Sequence, residues 1–170
     1  MKHLWKVVLA AAMAASLPAP AVAGAVATVG RPAPDATLSL LDKSRIKLSE
    51  LKGKVVVINH WATWCGPCKA EMPMMSAFHR RYKDAGFEIY GVTTEDSVEA
   101  YKLKKLSDLL SYHLAWRMSG DGYPLIDGGL PTSYVIDRAG IVRFAKSGAF
   151  DAQEFIDDIL PLLREPAPGN

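Results

Sequence analysis

Cysteine is scarce in this sequence, and that scarcity restricts what the two cysteines can do. Both lie in one short segment, Cys65-Gly66-Pro67-Cys68. A disulfide between them closes so small a loop that it would constrain little of the unfolded chain. A second Cys-x-x-Cys, which would complete a four-ligand zinc site, is missing. The pair is therefore a poor structural staple, and the reactivity of its thiols is the better explanation.

The sequence also lacks a marked excess of either positive or negative charge. The chain has 20 Lys and Arg against 18 Asp and Glu, and removal of residues 1–23 leaves 18 of each sign. Domains that bind nucleic acids carry a strong positive excess. A near-neutral chain therefore gives no reason to expect a nucleic acid among its partners.

After the first residues, the chain has no unbroken apolar run of about 18 residues, the length that spans a membrane. Residues 1–23 instead have the pattern of a signal peptide, with a basic start, an apolar segment over residues 7–17 and an A-x-A site at Ala21-Val22-Ala23. We expect cleavage after Ala23 and export to the periplasm. A second site at Ala25-Val26-Ala27 and an uncleaved anchor are the alternatives, and the apolar segment is short for an anchor.

The rest of the chain is predicted to form one domain with two irregular ends. Residues 24–35 are small and contain two prolines, which is typical of a linker. Residues 36–164 form the domain, and residues 165–170 are a Pro/Gly tail that we expect to be disordered. Within the domain, residues 111–130 are rich in Gly, Asp and aromatics and give no clear assignment.

The order of the predicted elements indicates an α/β domain. The β-branched run over residues 55–61 suits a central strand buried on both faces. The first half predicts parallel strands with crossover helices, and the second half an antiparallel hairpin with a closing helix. In chain order the elements are a hairpin at 37–48, strands at 55–61 and 87–93 with a helix between them, and a helix at 97–110 capped by Asp96 or Ser97. A hairpin at 133–146 follows, and then a last helix that is capped by Asp151 and runs to residue 163.

The Cys-x-x-Cys segment lies between a predicted strand and a predicted helix. Cys65 then occupies the helix N-terminus, where unpaired backbone N–H groups and the helix dipole favour the thiolate. Cys68 lies on the same helix face and can attack a mixed disulfide formed at Cys65. Pro67 has no N–H to leave unpaired in the first turn. We therefore predict a partly exposed nucleophile at Cys65 and a resolving thiol at Cys68.

A metal site is the main rival interpretation of these residues. His60 lies five residues before Cys65. Strand alternation aims it away from the cysteines, and we expect it to be partly exposed. Met72, Met74 and Met75 carry the thioether sulfur that copper accepts, but packing on the apolar helix face explains Met72 and Met75. We expect no bound metal.

Three segments together resemble the TlpA/ResA-like branch of thioredoxin-fold proteins. They are Trp61-Ala62-Thr63-Trp64-Cys65-Gly66-Pro67-Cys68-Lys69 with Glu71-Met72-Pro73, Leu130-Pro131-Thr132 before a strand, and Gly30-Arg31-Pro32-Ala33-Pro34-Asp35 near the start. The likeness runs from about Val29 to Leu163, and the joint occurrence of these segments in this order is specific.

The resemblance implies an α/β thioredoxin fold. Its mixed central sheet is flanked by helices, with an N-terminal β-hairpin and an insertion before the cis-Pro strand. The Leu130–Pro131 bond is expected to be cis and to face the cysteines, although trans is the usual state of such a bond. No cofactor is expected beyond a redox-active Cys65–Cys68 disulfide. The residues expected to position a substrate are Trp64, Gly66, Pro67, Leu130 and Pro131.

The same resemblance raises the question of proton transfer. Asn59 occupies the position where ordinary thioredoxins carry a buried, proton-transferring Asp, which argues against a general cytosolic thioredoxin. In some members of the branch, an acidic residue after the next strand lies near the cysteines. Glu95 and Asp96 are the candidates for this role. Helix capping by Asp96 and a solvated Glu95 are the alternative.

The function that the resemblance implies is reduction of disulfides in exported proteins, in cytochrome c or copper-site assembly. The protein would be a monomer, recharged by a membrane thiol electron donor. The Gly66-Pro67 dipeptide favours reduction, because thioredoxin uses it and is reducing. A periplasmic oxidant, a peroxiredoxin-like peroxidase and a copper-binding chaperone stay open. For the peroxidase, Ile58 and Ala62 replace the Pro and Thr of the peroxide site, and the chaperone lacks a clear third ligand.

Overall fold

The computed structural model of the chain describes residues 25–120 and 122–168. The predicted signal peptide over residues 1–23 and the last two residues of the predicted tail lie outside the described residues. The elements in chain order are β1 (Thr37–Leu40), β2 (Arg45–Lys47), β3 (Val55–Trp61), α1 (Gly66–Tyr82), β4 (Phe87–Thr93), α2 (Ala100–Ser107), β5 (His113–Met118), β6 (Thr132–Ile136), β7 (Val142–Ser147) and α3 (Ala152–Arg164).

The strands of the described residues form one sheet in the order β2-β1-β5-β4-β3-β6-β7. Strand β3 is parallel to β4 and antiparallel to β6, and all of its residues are buried. This burial on both faces explains its continuous apolar run. Strands β1 and β2, and strands β6 and β7, form antiparallel hairpins. The predicted α/β thioredoxin fold, with a mixed sheet, flanking helices and an N-terminal hairpin, is confirmed.

The segment that the sequence left unassigned supplies a strand. Strand β5 pairs antiparallel with β1 and parallel with β4, and so connects the N-terminal hairpin to the rest of the sheet. Among its residues only Leu114 and Ala115 are buried. Two adjacent buried residues do not produce the alternation by which a half-buried strand is recognised. The strand therefore depends on its neighbours for its conformation more than on its own pattern.

The helix expected at residues 97–110 is shorter than predicted. Helix α2 begins at Ala100 with Glu99 as its N-cap, and no side chain caps it. The prediction of Asp96 or Ser97 as the cap is wrong. Asp96 pairs instead with Arg117 of strand β5, at 3.1 Å.

The sheet separates two apolar clusters. Alternation along β3 sends Val55, Val57 and Trp61 to one face and Val56 and Ile58 to the other. The first cluster also contains both cysteines and the buried apolar residues of α1, α2 and α3. Burial of one large apolar side chain stabilises a fold by about 1.5–3 kcal/mol. The cysteines thus belong to the larger of the two apolar clusters.

The N-terminal residues predicted as a linker lie against the domain where the structure describes them. Gly30 donates its backbone N–H to the carbonyl of Val142 at 2.8 Å. The Asp35 carboxylate accepts from the backbone and the hydroxyl of Ser49. No helix among the described residues is long and apolar enough to cross a membrane.

Candidate active site

The two cysteines lie where strand β3 gives way to helix α1, as predicted. Cys65 is the N-cap of α1, in an extended conformation, and its Sγ accepts from the backbone N–H of Cys68 at 3.2 Å. Pro67 occupies the first turn. The two sulfur atoms form a disulfide, with Sγ–Sγ 2.03 Å. The positive end of the helix dipole therefore acts directly on Cys65.

Burial around the disulfide differs from the prediction at one position. Cys65 is only 3% exposed and Cys68 is fully buried. The expectation of a partly exposed Cys65 is wrong for this disulfide state, because its Sγ is folded onto the first turn of α1 within the apolar cluster. The neighbouring Trp64 is 69% exposed, while Trp61 is buried in the core. The accessible part of the motif is thus its loop rather than its sulfur atoms.

Glu71 is a buried acid that belongs to the family motif but was assigned no role from the sequence. It follows Cys68 by one turn of α1, on the same face, and is 3% exposed. Its Oε1 accepts from Asn59 Nδ2 at 2.8 Å and its Oε2 from the backbone N–H of Phe150 at 2.9 Å. Burial raises the pKa of Glu71, and these two hydrogen bonds oppose the rise. The available signal was an acid adjacent to the apolar stripe of the helix, three residues after Cys68.

Asn59 and Ser133 extend this acid into a buried polar group. They face each other in the register of β3 and β6. Asn59 Nδ2 donates to Ser133 Oγ at 3.0 Å as well as to Glu71. The Oδ1 atom of Asn59 has no hydrogen-bond partner among the described residues. A line of polar side chains, Glu71–Asn59–Ser133, therefore crosses from α1 to the sheet on the cysteine side.

The two acids proposed for proton transfer are separated by the structure. Glu95 accepts from the backbone N–H of Thr63 and from Thr63 Oγ1 at 3.0 Å, two residues before Cys65. Asp96 is well exposed and pairs with Arg117, also exposed. Glu95 is thus attached to the motif loop, whereas Asp96 has no contact with it among the described hydrogen bonds and ion pairs.

The segment expected to position a substrate has the predicted peptide geometry. The Leu130–Pro131 bond is cis. Leu130 is half-buried against the apolar cluster that contains the cysteines. On the other side of the motif, Gly66 and Pro67 are exposed, and a Cβ at Gly66 would meet no atom within 4 Å. The motif loop therefore has an open side at Gly66.

His60 lies on the opposite face of the sheet from the cysteines. Its ring packs edge-on against Tyr134, with centroids 6.4 Å apart. It is buried rather than partly exposed, which corrects the prediction, because the neighbouring aromatic cluster covers it. Burial lowers the pKa of His60 to about 4. In the described part of the chain, no group of three or more His, Cys, Asp or Glu side chains is arranged to hold a metal ion.

Comparisons with known proteins agree with this geometry. The profile of the AhpC/TSA family matches residues 29–145. The thiol-disulfide oxidoreductase ResA of Bacillus cereus is 36% identical over 119 residues, a match that covers 67% of this chain and 66% of ResA, slightly less than two thirds of its length. The thiol:disulfide interchange protein DsbE of Pseudomonas aeruginosa is 31% identical over 144 residues, covering 82% of this chain and 77% of DsbE.

A solved structure shows the same similarity in three dimensions. It is the crystal structure of a Chlorobium tepidum protein provisionally named thiol:disulfide interchange protein DsbE. The two chains superpose with a TM-score of 0.67 at 31% identity, over 81% of this chain and 99% of the other. The chain therefore belongs to the AhpC/TSA family of thioredoxin-fold proteins and, within it, to the TlpA/ResA-like group of thiol–disulfide oxidoreductases.

Proposed function

We propose that the protein is an exported, periplasmic thiol–disulfide oxidoreductase that reduces disulfides in other exported proteins. Cys65 is its attacking thiol and Cys68 its resolving thiol. The observation that carries this proposal is the Cys65–Cys68 disulfide at the N-terminus of α1, with Cys65 as the N-cap. A thiolate formed there is stabilised by the backbone N–H of Cys68 and by the helix dipole.

The reduced protein would act in two exchange steps. The Cys65 thiolate attacks one sulfur of a substrate disulfide, which forms a mixed disulfide and releases the other substrate sulfur as a thiolate. Cys68 then loses its proton and attacks Cys65 Sγ, which forms the Cys65–Cys68 disulfide and releases the second substrate thiolate. Two electrons and two protons pass to the substrate. A thiol donor restores the dithiol by the reverse chemistry.

Glu71 is the group best placed to take the proton of Cys68. It lies one turn further along the same face of α1, and both side chains are buried. A carboxyl whose pKa is raised by burial binds a proton more readily than an exposed one. The second exchange step requires such an acceptor, since a fully buried thiol cannot release its proton directly to solvent.

The substrate chain would approach over the open side of the motif loop. Trp64 supplies an exposed aromatic surface there, and Gly66 leaves room for a partner's backbone. Pro67, Leu130 and Pro131 complete the set of positioning residues that the family resemblance implies. The proposal includes no cofactor other than the disulfide, no metal and no nucleic acid.

The sequence and the family support the compartment and the partners that we propose. The signal-peptide pattern of residues 1–23 supports export. The Cys-Gly-Pro-Cys motif supports a reducing role, since thioredoxin has the same dipeptide. We propose that the substrates are cysteine pairs of apocytochromes c or of copper-site proteins, that a membrane thiol protein donates the electrons, and that the protein acts as a monomer.

A trapping experiment tests this function. Cys68→Ala removes the resolving thiol and leaves Cys65 at the helix N-terminus, so mixed disulfides with exported substrates should accumulate. The complexes are recovered by affinity purification without reductant and identified by mass spectrometry. Cytochrome c assembly predicts trapped Cys-x-x-Cys-His apoproteins, and copper-site assembly predicts trapped copper-site proteins.

The matched control is the double variant Cys65→Ala, Cys68→Ala, which should trap nothing. Complexes that persist in this variant, or that survive reduction, would not be exchange intermediates. Absence of any Cys65-dependent complex, together with no reduction of insulin by the wild-type protein, would refute the proposed activity. Rapid consumption of peroxide with few trapped partners would favour a peroxidase instead.

A further inference from the structure

The side-chain amide of Asn59 is placed between two groups that can change their hydrogen-bonding role. It is 1% exposed, and its Nδ2 donates to Glu71 Oε1 at 2.8 Å and to Ser133 Oγ at 3.0 Å. Its Oδ1 accepts no hydrogen bond from the described residues. A primary amide has a donor end and an acceptor end on one carbon, so half a turn of the group exchanges them.

The two oxygens of Glu71 are not equivalent for protonation. Oε2 accepts from the backbone N–H of Phe150 at 2.9 Å, and a backbone N–H can only donate. A proton on Oε2 would face that N–H, so the proton belongs on Oε1, the oxygen that faces Asn59. Once protonated, Oε1 is a donor, and the Nδ2 group now opposite it cannot accept.

We propose that the Asn59 side-chain amide flips when Glu71 gains or loses a proton. It presents Nδ2 to the carboxylate and Oδ1 to the carboxylic acid. Ser133 permits both arrangements, because its hydroxyl accepts from Nδ2 in the first and donates to Oδ1 in the second. Asn59 is then a positioning residue that allows one buried carboxyl both to accept a proton and to hold it. This inference rests on the proposed function only in that the proton comes from Cys68.

Other charged groups act on Glu71 through space. Lys146 of β7 favours its ionised form, and Lys146 is itself paired with Glu154 of α3. The buried Tyr112 hydroxyl also interacts with Glu71, while Cys65 and Cys68, joined as a disulfide, do not titrate in this state. Within the described residues, the hydrogen bonds to the Glu71 oxygens come from Asn59 and Phe150. The amide of Asn59 is therefore the side chain that must respond when Glu71 gains a proton.

The flip of the Asn59 amide is directly observable by NMR of the full chain in its oxidised state. The Glu71 side-chain carbonyl carbon reports the proton, and nuclear Overhauser contacts from the Asn59 Nδ2 protons to Ser133 report the amide orientation. From about pH 4 to 9, around the usual titration range of a raised carboxyl, both signals should change with one common midpoint. The contacts from Nδ2 to Ser133 should weaken in the acid form.

Glu71→Gln provides a neutral mimic of the protonated acid. Its amide oxygen accepts from Phe150, so its NH2 group faces Asn59 and requires Oδ1 there. The variant should show the acid-form contacts of Asn59 at every pH. Unchanged Nδ2 contacts through the wild-type titration would overturn the proposal. So would a Glu71→Gln spectrum with the alkaline pattern, or a Glu71 that stays ionised throughout.

A second experiment connects the amide to the chemistry. Asn59→Asp has nearly the same shape, but it cannot donate to the carboxylate and places a second acid beside Glu71. The pH midpoint of mixed-disulfide resolution should rise by about one unit or more, which makes the reaction ~10-fold slower on the acid side. Ser133→Ala keeps the contact between Asn59 and Glu71 and should move the midpoint much less.

The Asn59 inference and the proposed role of Glu71 can be refuted separately. A pH-dependent flip of the Asn59 amide in the wild type, combined with a normal rate of mixed-disulfide resolution in Glu71→Gln, would support the Asn59 inference. The same result would exclude Glu71 as the proton acceptor of Cys68. Equal midpoints in Asn59→Asp and Ser133→Ala would instead contradict the positioning role of Asn59, whatever substrate the enzyme reduces.

Discussion

Glu71, buried on helix α1, and Glu88, half-buried on strand β4 beside the same helix, have pKa values shifted in opposite directions. Glu71 is held by neutral N–H donors, and burial raises its pKa. Glu88 of β4 lies 3.7 Å from the Nε2 atom of His79 of α1 and accepts from Lys54 Nζ at 2.7 Å. His79 and then Lys54 lower the pKa of Glu88 to about 2, against the opposing effect of burial.

The comparison shows that burial alone does not decide the state of a carboxyl. Neutral donors satisfy the oxygens of Glu71 without supplying a compensating charge, so its ionised form stays costly and the group is suited to exchange a proton. His79 and Lys54 hold the pKa of Glu88 at about 2, so Glu88 is ionised at neutral pH. At 3.7 Å the His79 contact is too long for a hydrogen bond, so Lys54 makes the tighter contact. Glu88 is therefore suited to stabilise the fold, whereas Glu71 has the proton affinity that the proposed exchange step requires.

The largest expected effect comes from Glu71→Gln, which removes the proton acceptor but keeps the size of the side chain. Positioned general bases contribute at least ~100-fold, so release of a chromogenic thiol from a preformed mixed disulfide at Cys65 should slow about 100-fold at neutral pH. The initial attack by Cys65 should hardly change. Stopped-flow absorbance separates these two steps.

Glu88→Gln is the matched control for this rate measurement. It replaces a half-buried carboxyl that contacts α1 through His79. Both exchange steps should keep their wild-type rates. A similar slowing in the two variants would show that the effect arises from disturbance of α1 rather than from the loss of a proton acceptor.

The second-largest expected effect is on the free energy of unfolding. Here Glu88→Gln should have the larger effect and Glu71→Gln the smaller one. The pKa of Glu88 lies below its ordinary value of 4.5 in the folded protein. Its contribution to stability is therefore present above pH 4.5 and is lost as the pH falls through the folded value of about 2. Glu88→Gln should lower the free energy of unfolding by roughly 2 kcal/mol at pH 7, and the deficit should shrink in acid.

Glu71→Gln should behave in the opposite way. A carboxyl whose pKa is raised by folding binds more protons in the folded state, so its contribution to stability falls as the pH rises through the folded pKa. The variant cannot ionise, and at pH 7 it should be at least as stable as the wild type. Urea unfolding of both variants across pH measures this, and parallel losses of stability at pH 7 would contradict the assignment.

The same two acids show what could be predicted from the sequence. The β-branched run of β3, the capping of α3 by Asp151 and the position of Cys65 before α1 are local patterns, and each was predicted correctly. The partners of Glu71 lie 12 and 79 residues away in the chain. Local periodicity carries no information about such contacts, so an acid next to an apolar stripe was not recognised as buried.

Strand β5 was missed for a related physical reason. Its conformation is imposed by pairing with β1 and β4 rather than by its own apolar alternation. The start of α2 was misplaced as well: the helix begins at Ala100, and the Asp96 side chain faces Arg117 of β5 rather than capping it. Capping and periodicity rules use only residues that are close in sequence. They therefore cannot detect a contact between residues that are distant in sequence.

The smallest expected effect separates Glu95 from Asp96. Glu95 accepts from the backbone N–H of Thr63 and so fixes the loop before Cys65. Glu95→Gln weakens a charge-assisted hydrogen bond and should lower the free energy of unfolding by about 1 kcal/mol. Asp96→Asn should have no measurable effect, since its ion pair with Arg117 is exposed to solvent.

Urea midpoints of both variants and their stopped-flow resolution rates test this, with Glu71→Gln as the reference. If Glu95 supplied the proton acceptor, Glu95→Gln would slow resolution as strongly as Glu71→Gln does. Near-normal resolution with reduced stability would confirm that Glu95 positions the loop and that proton transfer belongs to the buried acid.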